Sequence, residues 1–173
     1  MSSSASAAEK TSNPAGIIAA LAGVGLGFYV GVMLLIPLAG TVVGFFIVKY
    51  AASRNTKPFG GALAVQFGHW IWMTVGALLV PSGVLMIAPD VLIAAASLVW
   101  LFLWPGLVPV VLVTLYQAIS LMLNALQLRS FEFGAEAHKA IATHMFLRIL
   151  IIAYLIEGYR VFRKVRNDIH ALS

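Results

Sequence analysis

Three long stretches of this chain contain no charged side chain. Thr11–Val48, Pro58–Pro89 and Val91–Leu128 run for 38, 32 and 38 residues without Asp, Glu, Lys or Arg. Each is longer than the roughly 20 apolar residues that carry a helix across a bilayer. A fourth stretch, Ala140–Ile156, is apolar apart from Thr143, His144 and Arg148. The pattern predicts an all-α, polytopic integral membrane protein, a bundle of about four hydrophobic helices, with three to five crossings left open. The expected segments lie near 15–48, 60–88, 91–128 and 140–157. Residues 1–14 are expected to form a flexible Ser/Ala-rich tail, because they lack the basic start of a secretory signal. Residues 158–173 are expected to form a basic amphipathic tail suited to a membrane surface. There Arg160, Arg163, Lys164 and Arg166 alternate with Val161, Phe162, Val165 and Ile169.

Features inside the segments refine this picture. Pro37 predicts a kink in the first. Gly23, Gly27 and Gly31 recur every four residues, and Gly40 and Gly44 repeat the spacing beyond the proline. Such a ladder leaves a shallow strip along one helix face, where another backbone approaches closely. The partner is left open between this chain, a second copy and another protein. Trp70 and Trp72 suit a headgroup boundary, and Pro89-Asp90 reads as a tight turn. The third run reads as one long helix with a proline distortion, because a piece from Val91 to Trp104 alone would reach only about 21 Å. Along its second half, Gln117, Ser120, Asn124 and Gln127 fall on one face. Amides facing lipid would lose their hydrogen bonds, so this stripe is expected to face protein or water.

Composition narrows the class. Of 173 residues, 61% are hydrophobic and only 10% charged, with a mean hydropathy of +0.98. A soluble domain carries about a quarter charged residues, so the soluble class is excluded, and so is general disorder. The net charge of +5 comes from basic residues divided among short segments. That division points to anionic headgroups rather than to nucleic acid. Absence of cysteine removes disulfides, thiol catalysis and iron–sulfur ligation.

Counting Lys and Arg gives a test of topology. Four crossings divide them five against five, with no preferred orientation. A surface-lying fourth segment gives ten against one. Two crossings in the third run together with a crossing fourth segment give seven against three. Every version with a preference places Lys49–Lys57 in the cytoplasm, as expected for a bacterial inner-membrane protein.

Candidate chemistry is sparse. His69 and His144 lie near the starts of two segments and would meet at similar depth if their loops share a side, the arrangement a b-type haem needs. The residue types favour boundary histidines, and no cofactor or metal is expected. Arg148, four residues after His144, is an intramembrane ionisable group and so a functional candidate by default. It is expected to snorkel or to bind a partner. There is no HExxH, GxSxG or phosphate-binding glycine loop, and no carboxylate is expected deep in a segment. The sequence therefore predicts a non-catalytic membrane subunit or assembly factor of a larger complex, not an enzyme. Its expected partners are the bilayer and either other membrane subunits or itself. The alternatives are a homo-oligomeric channel or small-solute pathway lined by the polar stripe, and, less favoured, a haem-bearing electron carrier.

Overall fold

A computed structural model describes residues 34–79, 84–129 and 134–171. Of these described residues 92% are helical and none lies in a strand. Among the described residues five α-helices follow one another: α1 (Leu35–Ala51), α2 (Gly60–Leu79), α3 (Val84–Leu103), α4 (Leu107–Leu128) and α5 (Ala135–Ala171). A single 3₁₀ turn at Lys57–Phe59 leads into α2. Three helical stretches, Lys57–Leu79, Leu107–Leu128 and Ala135–Asn167, are long and apolar enough to cross a membrane. Gly23, Gly27 and Gly31 lie outside the described residues, as does the expected 1–14 tail.

Two local expectations are corrected. The third hydrophobic run is two helices, broken at Trp104-Pro105-Gly106. Pro105 has no N–H to bond back into α3, and its ring would strike the carbonyl four residues earlier. Pro109, by contrast, is the third residue of α4, where the backbone N–H needs no helical partner. Two prolines four apart thus end one helix and permit the next. Pro89-Asp90, in turn, is not a turn but lies within α3. Because Pro89 is only the sixth residue of that helix, its missing N–H removes little of the ladder. By starting at Val84, α3 reaches 20 residues, or about 30 Å, which answers the length objection to splitting the run.

Neighbouring helices alternate in direction. Gly61 meets Tyr154 and Gly158 meets Phe59, whereas His69 meets His144, so α5 runs antiparallel to α2. Gln66 pairs with Ala94 and Ser97, and Thr56 reaches the Phe102 carbonyl at 3.0 Å, so α3 also opposes α2. The core between them holds Phe59, Leu101, Val113, Ile151 and Leu155.

The closest contact joins α1 to α2. An added Cβ at Gly40 would stand 2.8 Å from Gly68 Cα, and one at Gly44 would stand 3.0 Å from Ala64 Cα. One at Gly68 would lie 2.2 Å from the Pro37 carbonyl oxygen. Ala64 and Gly68 repeat on α2 the four-residue spacing of Gly40 and Gly44, and the two smooth strips let the backbones meet. The outer face of α1 is the reverse, with Val42, Phe45 and Phe46 all about half exposed. Small residues inward and large apolar ones outward suit a hydrocarbon surrounding, which gains nothing from squeezing large side chains inside.

Alternation also sorts the charges. Lys49, Arg54 and Lys57 gather at one end of the bundle with Arg160, Arg163, Lys164 and Arg166, while the opposite end has Arg129 and Lys139. The basic C-terminal stretch continues α5 without a break.

Gly68→Ala should force α1 away from α2, at about 1–3 kcal/mol for an overpacked contact. Gly76, with nothing within 4 Å of an added Cβ, should accept the same change without loss. Thermal unfolding of both variants in detergent checks the contrast, and equal melting temperatures would refute the packing.

Candidate functional site

Arg148 lies in the first half of α5, nine residues beyond Lys139 and twelve before Arg160, about 14 and 18 Å along the axis. Only 2% of its surface is exposed. A guanidinium has donors and no acceptor, so burial there demands acceptors from other helices. Two are supplied. Nη2 donates to Asp90 Oδ2 at 2.6 Å, and Nη1 donates to Gln117 Oε1 at 2.8 Å.

From Gln117 the bonds continue in one sense. Its amide nitrogen donates to Gln66 Oε1 at 3.3 Å, and Gln66 donates onward to Ser97 Oγ at 2.6 Å and the Ala94 carbonyl at 3.1 Å. Ser97 itself donates to the Ala94 carbonyl at 2.9 Å. The donor-only arginine turns the oxygen of Gln117 toward itself, and this orients every amide after it. The relay starts at Asp90 on α3, passes through α5, α4 and α2, and returns to α3 at Ser97, seven residues from its start. Four helices are thus tied by one closed set of polar bonds. Gln66, Gln117 and Ser97 are all buried.

Tyr116, beside Gln117 in sequence, completes the carboxylate. Its hydroxyl donates to Asp90 Oδ1 and lies 3.2 Å from the Asp90 carbonyl oxygen, while its ring lies 5.4 Å from the guanidinium carbon of Arg148. That position over an aromatic face adds a favourable cation–π contact. Asp90 keeps 33% of its side chain exposed, which makes it the one place where the ion pair opens to the outside of the bundle.

A second polar pair stands one turn away. His69 Nε2 and His144 Nδ1 are 2.7 Å apart, and the His144 ring packs on Trp72 with centroids 4.3 Å apart. His69 Nδ1 is buried without a partner. If His69 donates from Nε2, the orphan is a bare nitrogen rather than an N–H, the less costly of the two. The two histidines do meet, but they do not fit a haem. A metal–imidazole bond of about 2 Å needs ligand nitrogens about 4 Å apart across an iron, and directly bonded rings leave no slot for a porphyrin. Among the described residues no group of three or more His, Cys, Asp or Glu is placed to hold a metal ion.

The remaining expected site residues are dispersed. Gly40 and Gly44 are spent on α2. Gln117 is turned into its own bundle and fully buried. Ser120 and Asn124 are half-buried and Gln127 is exposed. Arg148 does not reach out of the bundle but is buried and bound to partners, Asp90 and Gln117, within this chain. Sequence reasoning missed Asp90, Gln66, Ser97 and Tyr116. One signal was present: Asp90 is the only acid between Glu9 and Glu132, and hence the carboxylate left for an arginine placed mid-segment.

Comparison with protein-family models, with curated proteins and with solved structures finds no match to this chain. Its class therefore rests on its own features: an all-helical bundle, three of its helices long and apolar enough to cross a membrane, with an ion pair and two glutamines at its centre.

Asp90→Leu should destabilise the protein by about 3–5 kcal/mol, because it strands a buried guanidinium. Adding Arg148→Met should recover part of that loss. Denaturant or SDS titration of the two single variants and the double variant measures the coupling; strictly additive effects would mean that the pair holds nothing.

Proposed function

We propose that this protein is a non-catalytic integral membrane subunit or assembly scaffold of a bacterial inner-membrane complex. One observation carries the reading. The side chains with chemical potential at the centre of the bundle, Arg148, Asp90, Gln117 and Gln66, bond to one another and so fasten helices together. The bonds they make within the chain build a rigid frame, and what the protein offers to others is its outer surface, on which Asp90 is partly exposed. That surface is lined with large apolar residues along α1, α3 and α4, which suits lipid and neighbouring helices.

Orientation follows from the charge distribution. The end holding Lys49, Arg54, Lys57 and the basic part of α5 has seven of the nine Lys and Arg that lie among the described residues outside the bundle centre. Under the positive-inside rule this end is cytoplasmic. At 37 residues α5 is about 55 Å long, longer than the hydrocarbon layer. Arg160–Arg166 then fall among or just beyond the cytoplasmic headgroups, where anionic lipid attracts them.

The chain has no native cysteine, so single cysteines report sidedness cleanly. Asn55→Cys and Arg163→Cys should react with an impermeant thiol reagent only from the cytoplasmic side, and Glu136→Cys only from the other. Labelling of Asn55→Cys and Glu136→Cys from one side would break the topology. The subunit reading is tested by gentle detergent extraction and affinity capture of the full chain. A membrane protein should co-purify at fixed stoichiometry; recovery as a lone, fully functional monomer would overturn it.

A further inference from the structure

We infer that the outer ridge of α3 beside Asp90 is the docking site for a transmembrane helix of another protein, one that presents an uncharged hydrogen-bond donor to the Asp90 carboxylate. This inference rests on the subunit reading above and names the surface through which it acts.

The ridge is built from Pro89, Leu92, Ile93, Ala96 and Trp100, all exposed, with Leu92 at 68% and Ile93 at 48%. Asp90 flanks it. The carboxylate lies fourteen residues from Trp104, about 21 Å along the helix, and at the depth of Arg148. Each of its oxygens accepts one bond from within the bundle, whereas an ionised carboxylate has about four acceptor positions. Acceptor capacity left toward hydrocarbon is costly, because lipid tails donate nothing.

The chemistry of the occupant follows by elimination. An acid would repel Asp90. A second cation would leave net positive charge in the hydrocarbon, because Arg148 already neutralises the carboxylate. A Ser, Thr, Asn, Gln, Tyr or Trp donor meets the need without either cost. Among the described residues, a second copy of this chain docked through the same face offers no such donor. Two-fold packing sets Asp90 opposite Asp90 at equal depth, and the exposed residues of α4 near that level, Leu112, Leu115, Ile119 and Met122, are all apolar. The donor on the ridge itself, Trp100, is ten residues away, about 15 Å along the axis. Ala96, small and central, lets a partner backbone come close.

The test is a photo-crosslinking amino acid placed at Ile93 in the full chain in native membranes, with Val42 on the outer face of α1 as the reference position. The expected adduct at Ile93 joins an apolar segment of a different protein. Mass spectrometry should find in it an uncharged donor side chain near the crosslink. Replacing that donor by alanine, or adding Leu92→Trp on the ridge, should cut the adduct at least fivefold and leave any Val42 adduct unchanged. An Ile93 adduct formed with lipid, with a second copy, with this chain itself or with a donor-free helix would overturn the inference. So would an adduct indifferent to both substitutions. If another protein co-purifies and crosslinks elsewhere but never at Ile93, the docking site fails while the subunit reading stands. If no protein co-purifies at all, both fail.

Discussion

A guanidinium enclosed among apolar helices must find acceptors, and it can take them only from other helices. That constraint at Arg148 organises the rest of this bundle. Its two bonds, to Asp90 and Gln117, fix two neighbouring helices directly. The amide of Gln117, once turned, recruits Gln66, and Gln66 brings in Ser97 and the Ala94 carbonyl. Inside a hydrocarbon surrounding there is no general hydrophobic force to hold helices against each other, since lipid tails are as apolar as leucine. Specific polar bonds and close backbone packing must do it. This protein uses one device at each side of α2, with the polar relay toward α3, α4 and α5 and the glycine strip toward α1.

The two devices differ in what they tolerate. A glycine strip works through the absence of atoms, so any added methyl obstructs it. A polar relay works through complementary donors and acceptors, so removing one member strands another. Replacing a whole pair with apolar residues is less damaging than breaking it. Neither involves the outer surface, where Val42, Phe45 and Leu92 are exposed.

Much of this fold was legible from the order of residues, in so far as it rests on local signals. Long uncharged runs announced apolar helices, and the four-residue spacing of Gly40 and Gly44 announced a close helix contact. What stayed hidden depended on distance along the chain. Pro89-Asp90 looks like a turn because proline and aspartate seldom sit inside a helix. Asp90 is tolerated there through Arg148, 58 residues later, and Tyr116, 26 residues later. The break at Trp104-Pro105-Gly106 leaves a piece too short to cross a bilayer if that piece starts at Val91, and the missing length comes from extending α3 back through the same Pro89-Asp90. Gln66 carries no local signal beside the tryptophans, because its partners on α3 and α4 are 28 to 51 residues away. With the third run divided, seven of the described basic residues gather at one end of the bundle and Arg129 and Lys139 at the other, while Lys10 lies outside the described residues.

The most direct measurement of the central claim is a dipolar distance in a lipid bilayer. Protein labelled with nitrogen-15 in the Arg148 guanidinium and carbon-13 in the Asp90 carboxyl should show strong nitrogen–carbon dephasing in solid-state nuclear magnetic resonance. Its guanidinium protons should exchange slowly with bulk water. Absence of dephasing, with guanidinium protons exchanging as freely as those of Arg163, would contradict a bundle organised around this pair.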